Sequence, residues 1–330
     1  MRMEHLGVRV TTFCNLNCKD CADLVPYEKS CHYEYEDIVN DLDKILGVVD
    51  FIEEILLGGG EIFMYPYMNE VIEYCVRSSK IGHVFVVTNG TIMPTQENLK
   101  VLKNDRVTLR VSGYGVHVAP QRDKIMALLE EESIQTEDLK SMKWYDVGNA
   151  EYRNRTEEEM KWVWDNCSMR FCVTMCGNGK IYWCGRQIGA DLLEDYPSPK
   201  VNEIVDVRNT PQGKLAETLE DFYKTRYIST CNYCDGITPR SRWIFTATQV
   251  LPKKLALDLF AFEMMLREGE NVRLILNEWL GYVNEHYKAL LFETEFAEAL
   301  QVTRDVSQML TRLKYTPGGG VCLKKIYIGC

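Results

Sequence analysis

The sequence lacks several features that would have pointed to a membrane, a secretory route or a nucleic acid. No apolar run approaches the roughly 18 residues that a membrane-spanning helix needs. The N-terminus has no apolar stretch of the secretory type. Positive charge is in deficit, because 38 Lys and Arg face 48 Asp and Glu for a net charge of -10. An acidic surface is a poor partner for a phosphate backbone. We therefore expect a cytoplasmic protein that binds neither membrane nor nucleic acid.

Cysteine, by contrast, is abundant. The chain has 330 residues, 46% hydrophobic and 26% charged, which is typical of a globular protein with a full-sized core. Thirteen cysteines in a chain without a secretory signal belong in a reducing compartment, where clustered thiols more often hold metal than form disulfides. Eleven of them fall into three groups: Cys14, Cys18 and Cys21; Cys167, Cys172, Cys176, Cys184, Cys231 and Cys234; Cys322 and Cys330.

The first 150 residues alternate between strand-like and helix-like segments. β-prone runs cover 8–13, 51–57, 84–88 and 107–112, and helical spacing covers 37–49 and 67–77. Alternating β and α units predict an α/β fold with a parallel sheet, either open or closed into a barrel. In such folds the chemistry lies at the C-terminal ends of the strands. The Gly-rich and Cys-rich elements follow the strands, so we expect them to meet on one face.

The pattern changes after residue 150. Helical segments are predicted at 156–165 and 213–227, and Gly177-Asn178-Gly179 between two β-prone runs predicts a hairpin. Residues 252–313 are helix-forming, with apolar positions suited to packing against the barrel or a second subunit. A Gly-rich hinge at 318–320 then precedes a short tail. We expect three domains, at 1–150, 151–245 and 246–330.

Cys14, Cys18 and Cys21 form a C-x3-C-x2-C motif on a loop directly after the first strand. Three closely spaced thiolates can ligate three corners of a cubane iron–sulfur cluster and leave the fourth iron open to another ligand. Zinc is the alternative, although zinc sites usually take four protein ligands in paired C-x2-C units.

In this motif the sequence resembles the radical S-adenosylmethionine (SAM) superfamily. The resemblance implies a partial (β/α)6 TIM-like barrel, a [4Fe-4S] cluster that binds SAM, and a 5′-deoxyadenosyl radical that takes hydrogen from substrate. The family's Gly-Gly-Glu signature stands here as Gly59-Gly60-Glu61, whose carboxylate is expected to bind the SAM ammonium group. Further positions that match SAM contacts are Thr88, Asn89, Gly90 and Ser112. Two departures are Asp20, where an aromatic residue is common, and Ile62, where proline is usual.

The second cysteine group resembles the auxiliary-cluster module of radical SAM enzymes, called SPASM or, when shortened, twitch. A cysteine before Gly179-x4-Cys184, followed by Cys231-x2-Cys234, matches its signature. The resemblance implies a second [4Fe-4S] cluster held by Cys167, Cys184, Cys231 and Cys234. Cys172 is left undecided and Cys176 is favoured as a core residue. A zinc site built from Cys172, Cys176 and the C-x2-C pair is the alternative.

The shortened module favours a carbohydrate-type substrate, such as a sugar, an aminocyclitol or a nucleotide sugar, and a flavodoxin- or ferredoxin-type reductant. Alcohol oxidation requires an electron acceptor, whereas epimerisation requires a hydrogen-atom donor such as Cys322, Cys330 or Cys31. The predicted substrate contacts are Arg110, Tyr114 and Arg186, with His117 as a weaker candidate.

Two other functions stay open. A peptide-modifying maturase would normally carry an extra N-terminal recognition domain, for which the position of Cys14 leaves no room. A non-catalytic metal-binding scaffold would have no use for the carboxylate of Glu61.

Overall fold

A computed structural model describes residues 1–116, 118–140, 143–148, 150–193 and 199–249. Within these residues the helices are α1 (Tyr35–Leu46), α2 (Met68–Arg77), α3 (Gln96–Leu102), α4 (Arg122–Glu131), α5 (Glu157–Asn166), α6 (Gly185–Leu192) and α7 (Gln212–Tyr223). The strands are β1 (Arg2–Thr11), β2 (Phe51–Gly59), β3 (Ile81–Thr88), β4 (Val107–Ser112), β5 (Thr136–Leu139), β6 (Trp144–Tyr145), β7 (Thr174–Cys176), β8 (Lys180–Tyr182), β9 (Val205–Asp206) and β10 (Trp243–Ile244).

Eight of these strands form one sheet in the order β5-β4-β3-β2-β1-β7-β8-β9. Strands β1 to β5 pair in parallel, each with the next, and helices α1 to α4 supply the crossovers between them. Strand β7 lies parallel to β1 on its other edge, and β8 and β9 continue the sheet in antiparallel fashion. Strands β6 and β10 form a separate antiparallel pair. The predicted α/β class with a mostly parallel sheet is confirmed.

The two faces of the parallel strands differ in polarity. On one face, Leu6, Val8, Ile55 and Leu57 are fully buried and join the core that includes the apolar residues of the helices. The other face carries polar side chains in neighbouring strands, which we call the polar row: His5, Glu54, His83, Thr108, Arg110 and Glu137. Because side chains alternate along a strand, the apolar face fixes the direction of the polar row.

The predicted hairpin is present, and it belongs to the same sheet as the predicted barrel. Gly177 to Gly179 form the turn between β7 and β8, and Arg9 of β1 aligns with Cys176 of β7. The described residues therefore form a sheet that runs across the expected boundary at residue 150, within the compact unit Met1–Leu251.

Several expectations fall outside the described residues: His117, the helical segment 252–313, the Gly-rich hinge, Cys322 and Cys330. Among the described helices, none has the length and apolar character needed to cross a lipid bilayer.

Candidate functional site

The three-cysteine loop begins where β1 ends at Thr11. Cys18 is buried, whereas Cys14 and Cys21 are half-buried. Burial raises the pKa of the Cys18 thiol to about 11 and that of Cys21 to about 12. A metal centre would reverse this preference, because coordination to a cation stabilises the thiolate. The three thiols can therefore serve as cluster ligands once a metal centre supplies positive charge beside them.

A buried ion pair connects the segment after the three-cysteine loop to the sheet. Arg9 of β1 is 1% exposed, and its two terminal nitrogens donate to the two carboxylate oxygens of Glu28 at 3.1 and 2.8 Å. The Cys176 thiol also faces Arg9, and burial raises the pKa of that thiol to about 12. Cys176 is fully buried with Tyr182 and Ile188, which matches its prediction as a core residue.

Gly59 and Gly60 bring the end of β2 against the end of β1. Gly59 has a φ of 126°, and the Gly60 amide donates to the Thr11 carbonyl at 2.8 Å. A Cβ added at Gly60 would overlap the Phe13 carbonyl oxygen, so only glycine permits this approach. The Gly-Gly pair thus positions the strand ends that surround the cysteine loop.

The carboxylate of Glu61 lies among hydrogen-bond donors at the ends of two strands. It is fully buried, and it accepts hydrogen bonds from the Thr88 hydroxyl at 2.7 Å, the Asn89 amide at 2.7 Å and the Phe63 amide at 3.2 Å. Burial raises the pKa of Glu61, although the three hydrogen bonds lower it. The carboxylate therefore joins the end of β2 to the end of β3, and its contact with the SAM ammonium group stays a prediction. The Thr88 hydroxyl, which donates to Glu61, also accepts from the Gly90 amide at 3.2 Å.

Asn89 connects the end of β3 to the cysteine loop. Its side-chain amide donates to Asn15 Oδ1 at 2.9 Å and lies 3.7 Å from Cys14 Sγ. Asn15 in turn donates to the Thr91 hydroxyl at 2.7 Å. Neither Asn15 nor Thr91 was among the predicted site residues, although both lie beside predicted motifs. The expected convergence of the strand ends is thus present around Cys14.

Tyr114 lies beyond the end of β4, close to the same three cysteines. Its pKa is raised by burial, lowered by a hydrogen bond with the Ser112 side chain, and raised by the nearby Cys18, Cys21 and Cys14. Its ring meets that of Trp144 edge to face, with centroids 5.5 Å apart. Ser112 is buried. These two predicted residues therefore occupy the wall of the cysteine-loop site.

Arg110 lies deeper, in the polar row. Its guanidinium stacks over the Phe85 ring at 3.6 Å, and its Nε donates to Glu137 at 2.5 Å. A quarter of the Arg110 side chain is exposed, so part of it stays accessible from the polar face. This places Arg110 two residues before Ser112 on the same strand face.

Four cysteines of the second group line one cavity of 120 Å³. Cys167, Cys184, Cys231 and Cys234 all line it, and they come from the end of α5, the start of α6 and the loop after α7. Asp20 and Ala22 of the first cysteine loop line the same cavity, as does Trp144. The two cysteine sets are therefore close neighbours. Sequence reasoning missed the contribution of Asp20 and Ala22 to this cavity, since at least 121 residues separate them from the other lining residues.

The walls of this cavity fit a cluster with sulfide acceptors. Thr230 is 3% exposed, and its hydroxyl has no hydrogen-bond partner; Arg170 Nε is also buried without one. Such donors gain partners when a sulfur-rich group fills the space. In the part of the chain that the structure describes, no three His, Cys, Asp or Glu side chains are grouped to share a single metal ion. In a cubane cluster, by comparison, each thiolate binds its own iron.

Three other candidate residues from the sequence also lie within the described part of the chain: Cys172, Arg186 and Cys31. Cys172 is half-buried near Cys167 and Asp23, and burial raises its pKa to about 11. Arg186 lines the four-cysteine cavity. Cys31 lies beside the end of β1, where the Thr12 hydroxyl is 3.6 Å from its sulfur. Cys31 is half-buried.

Comparison with known proteins gives one family match and several relatives. The family model for the radical SAM superfamily matches residues 8–122. The antilisterial bacteriocin subtilosin biosynthesis protein AlbA of Bacillus subtilis (strain 168) is 33% identical over 99 residues, which is 30% of this chain and 21% of AlbA. The chain thus spans about a fifth of the length of this curated relative.

Solved structures show more distant similarity. Streptococcus suis SuiB bound to S-adenosylmethionine is 16% identical, with a TM-score of 0.33 over 47% of this chain and 34% of SuiB. The anSMEcpe protein with bound AdoMet and a Cp18Cys peptide is 12% identical, with a TM-score of 0.45 over 68% of this chain and 81% of that one. BtrN in complex with AdoMet and 2-DOIA is 13% identical, with a TM-score of 0.44 over 71% and 94%.

The family match begins in β1, includes the cysteine loop, Gly59 to Glu61, Thr88 to Gly90 and Ser112, and ends at the start of α4. These are the residues that the structure gathers at one edge of the sheet. Residues 8–122 therefore match the radical SAM superfamily, and they contain the residues gathered at this site.

Proposed function

We propose that this chain is a radical SAM enzyme that cleaves SAM reductively and uses the resulting 5′-deoxyadenosyl radical to abstract hydrogen from a carbohydrate-type substrate. The observation that carries the proposal is the gathering of the three-cysteine loop with the ends of β2, β3 and β4 inside the family match. A scaffold that only binds metal has no need of these converging strand ends.

In this proposal Cys14, Cys18 and Cys21 hold a [4Fe-4S] cluster, which supplies one electron to SAM when it is bound. The chain positions SAM through its own strand ends: Gly59 and Gly60 allow close backbone approach, and Asn89, Gly90 and Ser112 lie around the loop. Glu61 and Thr88, the other proposed SAM contacts, also join the ends of β2 and β3.

We further propose that residues 151–245 act as an auxiliary module, in which Cys167, Cys184, Cys231 and Cys234 hold a second [4Fe-4S] cluster. The shared cavity of 120 Å³ and the buried Thr230 hydroxyl in its wall support this. Because Asp20 and Ala22 line the same cavity, the second cluster would lie beside the first cysteine loop and suit electron exchange with substrate. A flavodoxin- or ferredoxin-type protein would supply electrons.

The polar row supports a polyhydroxylated substrate. His83 Nε2 lies 2.8 Å from the Thr108 hydroxyl, and His5 Nδ1 lies 4.0 Å from Glu54 Oε2. Carboxylates, imidazoles, a hydroxyl and a guanidinium on adjacent strands offer acceptors and donors in alternation, which matches sugar hydroxyls. Arg110 is proposed to contact the substrate from this row, and Tyr114 from the wall above it.

Anaerobic reconstitution tests this function directly. The 330-residue chain supplied with iron, sulfide, SAM and dithionite should release 5′-deoxyadenosine. The matched control is Cys75→Ala, which removes a fully buried cysteine of α2 that belongs to neither cysteine set. Cys18→Ala should abolish the release, whereas Cys75→Ala should retain it. Protein that binds only zinc, or that binds iron and never cleaves SAM, contradicts the proposal.

Oxidation and epimerisation are separated by what happens after hydrogen abstraction. In oxidation the substrate radical loses a hydroxyl proton to a base and an electron to the second cluster. In epimerisation it gains a hydrogen atom from a thiol on its opposite face, and Cys31, Cys322 and Cys330 are the proposed donors. Single Cys→Ala variants distinguish the two: a variant that cleaves SAM yet returns no inverted product identifies an epimerase and its donor. Substrate-dependent reduction of the second cluster identifies an oxidase-type reaction.

A peptide-modifying activity is the second candidate, favoured by the 33% identity to the subtilosin biosynthesis protein AlbA over 99 residues. Incubation of the reconstituted enzyme with a precursor peptide encoded beside its gene, followed by mass spectrometry, tests it. A mass loss of two hydrogens that depends on SAM would replace the carbohydrate proposal.

A further inference from the structure

A segment more than 200 residues along the chain crosses the three-cysteine loop. Gln249 forms an antiparallel bridge with Cys18, and the Lys19 amide donates to the Thr248 carbonyl at 2.7 Å. Ala247, which precedes them, is 1% exposed and has a φ of 52°. A non-glycine residue in the left-handed region persists only where the surroundings fix it. We call residues 247–249 the strap.

The Gln249 carboxamide has a partner on each of its polar atoms. Its Oε1 accepts from the Asn17 amide at 2.6 Å, and its Nε2 donates to the Ala247 carbonyl at 2.6 Å and to Cys18 Sγ at 3.3 Å. The orientation follows from the partners, since a backbone N–H only donates and a carbonyl only accepts. If the amide were flipped, two donors would face each other at Asn17. The amide N–H therefore points at the sulfur of Cys18.

A donor aimed at a cluster ligand has a known electrostatic effect. The reduced state of an iron–sulfur cluster carries one more negative charge, and hydrogen bonds to its sulfurs stabilise that charge and raise the reduction potential. Cys18 is 7% exposed, so water does not replace the amide easily. Gln249 is thus placed to affect both the position of Cys18 and the ease of reducing the cluster bound there.

We propose that Gln249 is a positioning residue for the SAM-binding cluster: its carboxamide clamps the cysteine loop through Asn17 and donates a hydrogen bond to Cys18 that raises the cluster's reduction potential. The inference rests on the proposed cluster ligands Cys14, Cys18 and Cys21. It extends the site to a residue outside the family match, which ends at residue 122.

Two substitutions separate the clamp from the donor. Gln249→Glu keeps an oxygen that accepts from Asn17 but removes the N–H aimed at Cys18, and Gln249→Met removes both. Thr248→Ala is the matched control, because the exposed Thr248 hydroxyl donates to the Phe245 carbonyl and the strap's backbone contact to Lys19 is retained. All are made in the full chain with both proposed clusters reconstituted.

The primary readout is a potentiometric titration followed by electron paramagnetic resonance, with the SAM-binding cluster identified by the change of its signal when SAM is added. We expect a more negative midpoint potential in both Gln249 variants and none in Thr248→Ala. Iron release to a chelator should be faster in Gln249→Met than in Gln249→Glu. Selective loss of the SAM-responsive cluster from Gln249→Met, with the other cluster retained, also supports the clamp.

Three results would overturn the inference. One is a wild-type midpoint potential in Gln249→Glu; another is an equal shift in Thr248→Ala; the third is joint loss of both clusters from the Gln249 variants, which indicates a general folding defect. Failure of the proposed function looks different, because the wild-type chain itself would then show no SAM-responsive cluster signal.

Discussion

Replacement of Arg9 by methionine should destabilise the fold far more than its single charge suggests. The Arg9 and Glu28 side chains are only 1% and 5% exposed, so removal of the guanidinium leaves a carboxylate buried without its partner. Breaking a buried ion pair in this way costs about 3–5 kcal/mol. The exposed pair Arg77–Glu73, with side chains 74% and 48% exposed, provides the control, because such surface pairs contribute about 0–1 kcal/mol.

The measurement is urea denaturation of the reduced full chain, followed by tryptophan fluorescence, for Arg9→Met and Arg77→Met. The gap should widen as pH rises. Burial already raises the pKa of Glu28 and Arg9 opposes that rise, so without Arg9 the folded state favours protonated Glu28 and loses stability as the carboxyl ionises. Adding Glu28→Gln to Arg9→Met should recover part of the loss. The reasoning fails if Arg9→Met costs no more than Arg77→Met, or if the double variant is no more stable than Arg9→Met.

Three further outcomes are expected. Cys184→Ala should lose the iron of one cluster but keep the SAM-responsive one, whereas Cys176→Ala should bind iron like the wild type; equal iron loss in both would contradict the ligand assignment. Gly59→Ala should destabilise the protein, since its φ of 126° and close strand contact exclude a Cβ, whereas Gly213→Ala meets nothing within 4 Å and should cost little by thermal melt. Burial raises the pKa of Glu61 in the folded state. Its protonated carboxyl therefore contributes to stability below the ordinary glutamate pKa, and this contribution is lost as pH rises through the pKa of the folded state. Urea midpoints of Glu61→Gln should therefore decline less over that pH window, and an unchanged decline would assign it to other groups.

The strands of the parallel sheet were predictable because buried, β-branched runs identify them with little ambiguity. β4 (Val107–Ser112) matches its predicted range, and the predicted strands at 84–88 and 51–57 extend by only a few residues in β3 and β2. β5 (Thr136–Leu139) escaped prediction because it is a mostly exposed, polar edge strand. α6 escaped because Gly185 and Gly189 lower its helix propensity, and tertiary packing against the buried Ile188 overrides that preference.

The candidate site, like the fold, could be predicted only in part from the sequence. Motif spacing was enough to nominate the cysteines and the strand-end residues, since each lies next to a recognisable turn. It was not enough to predict the partners of Glu61, because a carboxylate's orientation depends on which donors the next strand presents. The contact of Gln249 with Cys18 joins residues 231 positions apart, and no local pattern signals it.

The edge-to-edge pairing of β1 with both β2 and β7 has a mechanical consequence. The end of β1 leads directly to Cys14. Strand β7, which pairs with β1, continues through the hairpin and β8 to Cys184. Backbone hydrogen bonds between neighbouring strands, rather than a linker, thus connect the segments that lead to Cys14 and to Cys184, and a hinge between these segments would have to break the sheet. The sheet would therefore limit how far apart the two proposed clusters can move during turnover.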